Sequence, residues 1–98
     1  MNITIESPFK LSDEDKESIH EKLRELTKFE SNIVQCQVFF KKGDGNEHES
    51  VRADIRVAVR GNDIFVSESN HDAIRAFSSA HATAKRQLRK RKEKIKKH

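Results

Sequence analysis

The sequence predicts an α+β fold with the element order β-α-β-β-β-α, a four-stranded sheet carrying two helices on one face. Three observations predict it. Apolar residues recur at helical spacing in two segments, near residues 12–29 and from Ala73 onward. They alternate with polar residues in four others. The three glycines, Gly43, Gly45 and Gly61, fall only where the alternation breaks. At 98 residues the chain fits one domain. That domain is expected over residues 1–90, with 91–98 as a basic helix end or tail.

Each element has its own reason. Ile3 and Ile5 alternate in a short first strand, which Ser7-Pro8 ends because proline lacks the ladder N–H. Ser12 is a good N-cap, and Asp13, Glu14 and Asp15 put negative charge on the positive end of the helix that follows. Ile19, Leu23 and Leu26 form its apolar stripe. The period then drops to two. Val34, Cys36, Val38 and Phe40 should face the core, with Gln35, Gln37, Phe39 and Lys41 opposite. Gly43-Asp44-Gly45-Asn46 makes a turn. Val51, Ala53, Ile55, Val57 and Val59 make the third strand, Gly61-Asn62 a tight turn, and Ile64 and Val66 the fourth. Asn70 or Ser69 should cap the last helix, with Asp72 in its first turn. Ala73, Phe77, Ala80, Ala84, Leu88 and Ile95 give that helix its stripe, and Arg91 falls on the same line.

Charge is the strongest functional signal. From Lys85 to His98 the chain carries nine basic groups against the single acid Glu93, a net of +8. Residues 1–84 carry eleven basic and fifteen acidic groups, a net of −4. A mildly acidic body with a strongly basic end points to a polyanionic partner. Helical spacing sets Lys85, Arg86, Arg89 and Lys90 away from the apolar stripe, and the run continues through Arg91 and Lys92. These are the RNA-binding candidates that charge selects. A purely solubilising charged face is the bland alternative. A membrane-surface or calmodulin-type helix fits less well, because the apolar side is mostly alanine.

Catalytic and metal patterns are missing from the sequence. His20, His48, His71, His81 and His98 form no HxxxH or HExxH pair, and they read as surface or helix-edge residues. One cysteine, Cys36, allows no internal disulfide and reads as a small core residue in a reducing compartment, most simply the cytosol. No cofactor, metal, small-molecule substrate or membrane is expected, and an enzyme is the reading with least support. Phe39 and Phe65 fall on the open sheet face near Arg52, Arg56 and Arg60 and could serve as stacking platforms; weak packing or a partner contact is the alternative, and no tyrosine or tryptophan adds support. The β-α-β-β-α-β order of an RRM does not fit. The α-β-β-β-α order of a double-stranded RNA-binding domain does, with one strand added in front.

The residues also resemble a family, the short ribosome hibernation promoting factors, also called ribosome-associated inhibitor A or sigma-factor modulation proteins. The similarity runs from Asn2-Ile3-Thr4 through Leu11-Ser12, Lys22, Leu26 and Phe29 to the Gly61–Ser67 hairpin. Ser67, Asp72, Arg86-Gln87-Leu88 and the closing lysine-rich run carry most of it. The chain departs at Asp72-Ala73-Ile74, where the family often has Asp-x-Tyr, at the polar stretch Ser78–Ala82, and at Asp15. The long form's C-terminal dimerisation domain has no counterpart in this sequence.

This resemblance implies a bacterial, cytoplasmic, ribosome-associated protein, monomeric when free. It implies binding to the small ribosomal subunit and intact ribosomes, on 16S rRNA in the mRNA and tRNA channel near the A and P sites. Translation would be blocked there in stationary phase or stress. By position it adds Lys22 and Lys28 of the first helix to the phosphate contacts. A generic double-stranded RNA-binding module and a protein-binding sigma-54 modulator remain the alternatives.

Overall fold

The computed structural model describes residues 1–43 and 51–96, with side chains through Arg91. The elements are β1 (Asn2–Glu6), α1 (Asp13–Glu25), a short 3-10 turn (Leu26–Lys28), β2 (Ile33–Lys42), β3 (Val51–Val59), β4 (Ile64–Asn70) and α2 (Ala73–Lys96). The expected order therefore holds. The Asp44–Asn46 part of the first turn, His48, His98 and the side chains of Lys92 and Ile95 lie outside the described residues.

The sheet runs β1-β2-β3-β4. β1 pairs parallel to β2, with Ile3 beside Cys36 and Ile5 beside Val38. A parallel neighbour requires a crossover, and α1 is that crossover. β2, β3 and β4 form an antiparallel meander, with Val38 opposite Ile55 and Ile55 opposite Val66. Both helices contribute buried residues to a single core with the Val/Ile face. Among the described residues the opposite face carries no helix.

α1 begins as the sequence predicts. The Ser12 hydroxyl accepts from the Asp15 N–H at 3.0 Å, which satisfies one of the orphan donors of the first turn. Ile19, Leu23 and Leu26 are fully buried, each worth roughly 1.5–3 kcal/mol of apolar burial. The helix does not continue evenly to residue 29. It tightens after Glu25, and the Phe29 and Glu30 amides both bond to the Leu26 carbonyl.

Two other expectations are corrected. Val34 was expected in the core, yet it is 62% exposed and Ile33 is buried instead. A bulge between Ile33 and Gln35 inserts an extra residue into β2, which shifts the alternation for everything before it. The α2 cap is Asp72, not Asn70 or Ser69. Asp72 Oδ1 accepts from the Arg75 N–H at 2.9 Å, and its carbonyl takes the Ala76 N–H. Ser69 and Asn70 are still paired with Arg52 and Val51 of β3, so β4 has not yet ended.

Along α2, Ala76, Phe77, Ala80, Ala84 and Leu88 are buried. The alanines let this helix lie close to the sheet. Gly61 holds a φ of +98° in the β3–β4 turn, a conformation costly for residues with a side chain. α2 continues without a break to Lys96.

Candidate nucleic-acid interface

The packing of α2 decides which of its charges can meet a partner. With Ala80, Ala84 and Leu88 turned inward, Arg86, Arg89 and Lys90 are exposed and Lys85 is half-buried. They wrap the outer surface of the helix from the α1 side to the β4 side.

On the α1 side the contact is polar. His81 is only 7% exposed. Its Nε2 lies 2.7 Å from the Lys22 carbonyl oxygen of α1, close enough for the ring N–H to donate. Lys22 Nζ donates in turn to the Ser78 hydroxyl at 3.2 Å. Burial pushes the His81 pKa below its ordinary value, and the charges of Lys22 and Lys85 push the same way. The bond to Lys22 and the charge of Glu25 oppose the shift without cancelling it. His81 was expected at the surface or at a helix edge, with no special role. It is instead a neutral strut between the helices.

The next turn is organised by an aromatic ring. Phe29, at the end of the 3-10 turn, has Lys85 Nζ 5.5 Å and Arg89 Cζ 6.0 Å from its ring centroid. Both lie within cation–π range. The ring attracts two like charges that would otherwise repel each other across one helical turn. His81, Lys85, Arg86 and Arg89 line a shallow open cavity of about 280 Å³ here. Arg86 donates to the Thr83 hydroxyl at 3.3 Å, and that hydroxyl is 3.2 Å from Glu68 Oε2.

The candidate residues thus separate by position. Lys85, Arg86 and Arg89 share the ridge beside Phe29, and Lys22 adjoins them through Ser78 and His81. Lys28 is exposed one residue before Phe29. Lys90 faces a second cavity, of about 510 Å³, beside the β3–β4 turn. Arg91 points back to the fold. It donates to the Asn62 carbonyl at 2.6 Å and the Arg60 carbonyl at 3.3 Å. Lys92 is outside the described side chains.

Sequence reasoning missed His81 and Phe29. A signal for His81 existed. It follows Phe77 by four residues and precedes Ala84 by three, the spacing of the edge of the apolar stripe. Phe29 carried no such signal, because its partners lie more than fifty residues away. Among the described residues no group of three His, Cys, Asp or Glu is placed to hold a metal ion. Nor is any described helix long and apolar enough to cross a membrane.

Fold and surface together define a small α+β module with one strongly cationic helix held on its surface. The chain belongs to the family described as sigma 54 modulation protein / S30EA ribosomal protein, whose match spans residues 2–96. This is a ribosome-associated family. Two solved structures are similar in fold. The N-terminal domain of Protein Y from Thermus thermophilus has 22% identity and a TM-score of 0.78, covering 92% of this chain and 98% of that one. A ribosomal subunit interface protein from Coxiella burnetii has 19% identity and a TM-score of 0.81, covering 95% and 99%. No curated protein matches the sequence significantly.

Proposed function

We propose that this protein is a ribosome hibernation factor. It binds the small ribosomal subunit on 16S rRNA, in the channel that mRNA and tRNA share near the A and P sites, and inhibits translation under stress or in stationary phase. Occupancy alone accounts for the inhibition, with no bond made or broken.

One observation carries this reading: the basic outer surface of α2, with Lys85, Arg86 and Arg89 on the ridge beside Phe29 and Lys90 toward the β3–β4 turn, displayed on an otherwise acidic body. Lysine and arginine at this density bind phosphate backbones by charge and counterion release. A fixed ridge suits the regular phosphate spacing of folded RNA. Membership of a ribosome-associated family supports rRNA as that polyanion. The Phe29 platform supports the reading further, because it orients Lys85 and Arg89 before any ligand arrives.

The test is co-sedimentation with ribosomes on sucrose gradients at low and moderate salt. The protein should migrate with the small subunit and intact ribosomes, and excess tRNA or mRNA should displace it. Protein that stays at the top of the gradient at both salts refutes the proposal. Binding to any RNA duplex with equal affinity would favour a generic duplex-binding module. Capture of a protein partner that survives nuclease would favour sigma-54 modulation.

A further inference from the structure

The open face of the sheet carries a second constellation that α2 does not use. Phe65 is 68% exposed, an unusual setting for a large aromatic side chain. Its cross-strand neighbour is Arg56, whose guanidinium lies 5.7 Å from the ring centroid. Arg56 is itself fixed, donating to Asp63 Oδ2 at 2.7 and 3.1 Å and to the Gln37 side-chain carbonyl at 3.1 Å. The row next to it holds Phe39, Asp54 and Ser67. Asp54 accepts from Arg52 at 2.9 and 3.0 Å and from Ser67 at 2.5 Å, and Lys41 Nζ is 3.8 Å away. One carboxylate therefore faces two cations, and the cluster keeps a net positive charge.

Phe39 and Phe65 line one open cavity of about 450 Å³ floored by these groups. They sit on β2 and β4, with β3 between them and one row of offset. Strand geometry then sets their Cα atoms roughly 12 Å apart. That separation leaves a base room to stack on each ring. Phe65 also lines the cavity bordered by Lys90, Gln87 and Asn62. The ring therefore stands on a ridge joining the open face to the basic helix.

We infer that the open sheet face binds a short single-stranded RNA segment, with bases stacked on Phe65 and Phe39. Its phosphates run between Lys41 and Arg52 on one side and Lys90 on the other. Three features favour RNA over a protein partner. Arg52 and Arg56 line the cavity together with the rings, the Asp54 cluster is net positive, and the surface is continuous with α2. This inference goes beyond hibernation. It gives the protein two RNA contacts of different kinds, phosphate-reading on the helices and base-stacking on the sheet.

The test uses the full chain, labelled oligouridine and oligoadenine as single-strand probes, and a blunt RNA duplex as the control. Phe65→Ala and Phe65→Leu should each weaken oligonucleotide binding roughly 5- to 150-fold, the range for losing one stacked base. Leucine keeps the apolar bulk but not the π face, so an apolar patch alone would tolerate it. Duplex binding should be unchanged in both variants. In NMR titrations the oligonucleotides should move the Phe39 and Phe65 ring signals. The inference is overturned if they move only α2 signals and Phe65→Ala leaves their affinity intact. It is equally overturned if Phe65→Ala lowers ribosome co-sedimentation without touching oligonucleotide binding, because the face then docks a protein. Oligonucleotide binding that depends on Phe65, in a protein that never sediments with ribosomes, would support this inference while refuting hibernation.

Discussion

Neutralising Arg86 and Arg89 together tests how α2 works. Both side chains are exposed; Arg86 donates to the Thr83 hydroxyl, and Arg89 lies over the Phe29 ring. Arg86→Gln/Arg89→Gln should therefore leave stability within about 1 kcal/mol of the parent. Binding should change in a way that only phosphate contacts produce. Each contact contributes a slope of roughly −0.9 to log K against log salt. If Lys85, Arg86, Arg89 and Lys90 each meet one phosphate, they contribute a slope of roughly −3.6. Raising salt from about 50 to about 200 mM then weakens binding roughly 150-fold. The variant keeps two contacts, a slope of roughly −1.8, and should weaken only about 12-fold over the same range. Other basic residues add equally to both proteins, so the difference of about 1.8 in slope is the robust quantity. Fluorescence anisotropy of labelled small subunits across four salt concentrations measures it, with thermal melts as the folding control. An unchanged slope in a normally folded variant would remove α2 from the interface.

Leu23, on the apolar stripe of α1, is fully buried. Leu23→Ala should cost roughly 2–5 kcal/mol in urea denaturation, and a cost below about 1 kcal/mol would mean α1 is not anchored there. His81 should make stability fall in mild acid. Its pKa is lowered in the folded protein, so as pH drops through its ordinary value of about 6.5 the unfolded chain takes up a proton that the folded chain resists. The contribution is fully present above that pH, and His81→Gln should flatten the loss between about pH 7.5 and pH 5.5. Burial pushes the Cys36 thiol up to about 11, so iodoacetamide should label it in urea and scarcely at all in the native protein.

Much of this fold was legible because its signals are local. The alternation in β3 is unbroken, and Ala53, Ile55, Val57 and Val59 are all buried. Ser12 with Asp13, Glu14 and Asp15 marks the start of α1. Expectation and structure part where a local pattern has two solutions that only tertiary contacts separate. Ile33 and Val34 are equally apolar, and the bulge that buries the first is set by pairing with Val59. Ser69, Asn70 and Asp72 are all competent caps, and the length of β3 chooses among them. The basic ridge was legible in the same way as the helix, since angular spacing separates Arg86 and Arg89 from Ala84 and Leu88. What orders the ridge was not, because Phe29 and Lys22 reach it across the whole meander.

Arg91 shows how packing and charge become one problem at the end of α2. It occupies the stripe position that follows Leu88, where a core residue would continue the burial. At that height the sheet has ended in the β3–β4 turn, which offers carbonyl oxygens instead of side chains. Arginine is the residue that can use them, through a long apolar stem and a fork of N–H donors. Its two bonds, to the Asn62 and Arg60 carbonyls, fasten the helix where apolar contact runs out. Gly61 sits between those carbonyls, and a Cβ there would lie 3.8 Å from Arg91 Nη2. Its φ of +98° sets the turn that presents both oxygens. One basic residue of the run is thus spent on the fold, one turn of helix beyond the buried Leu88. Lys90, immediately before it, is fixed in place beside Phe65 as a consequence. The point where the two proposed RNA surfaces meet is therefore held by hydrogen bonds from the Arg91 side chain to backbone carbonyls rather than by the core.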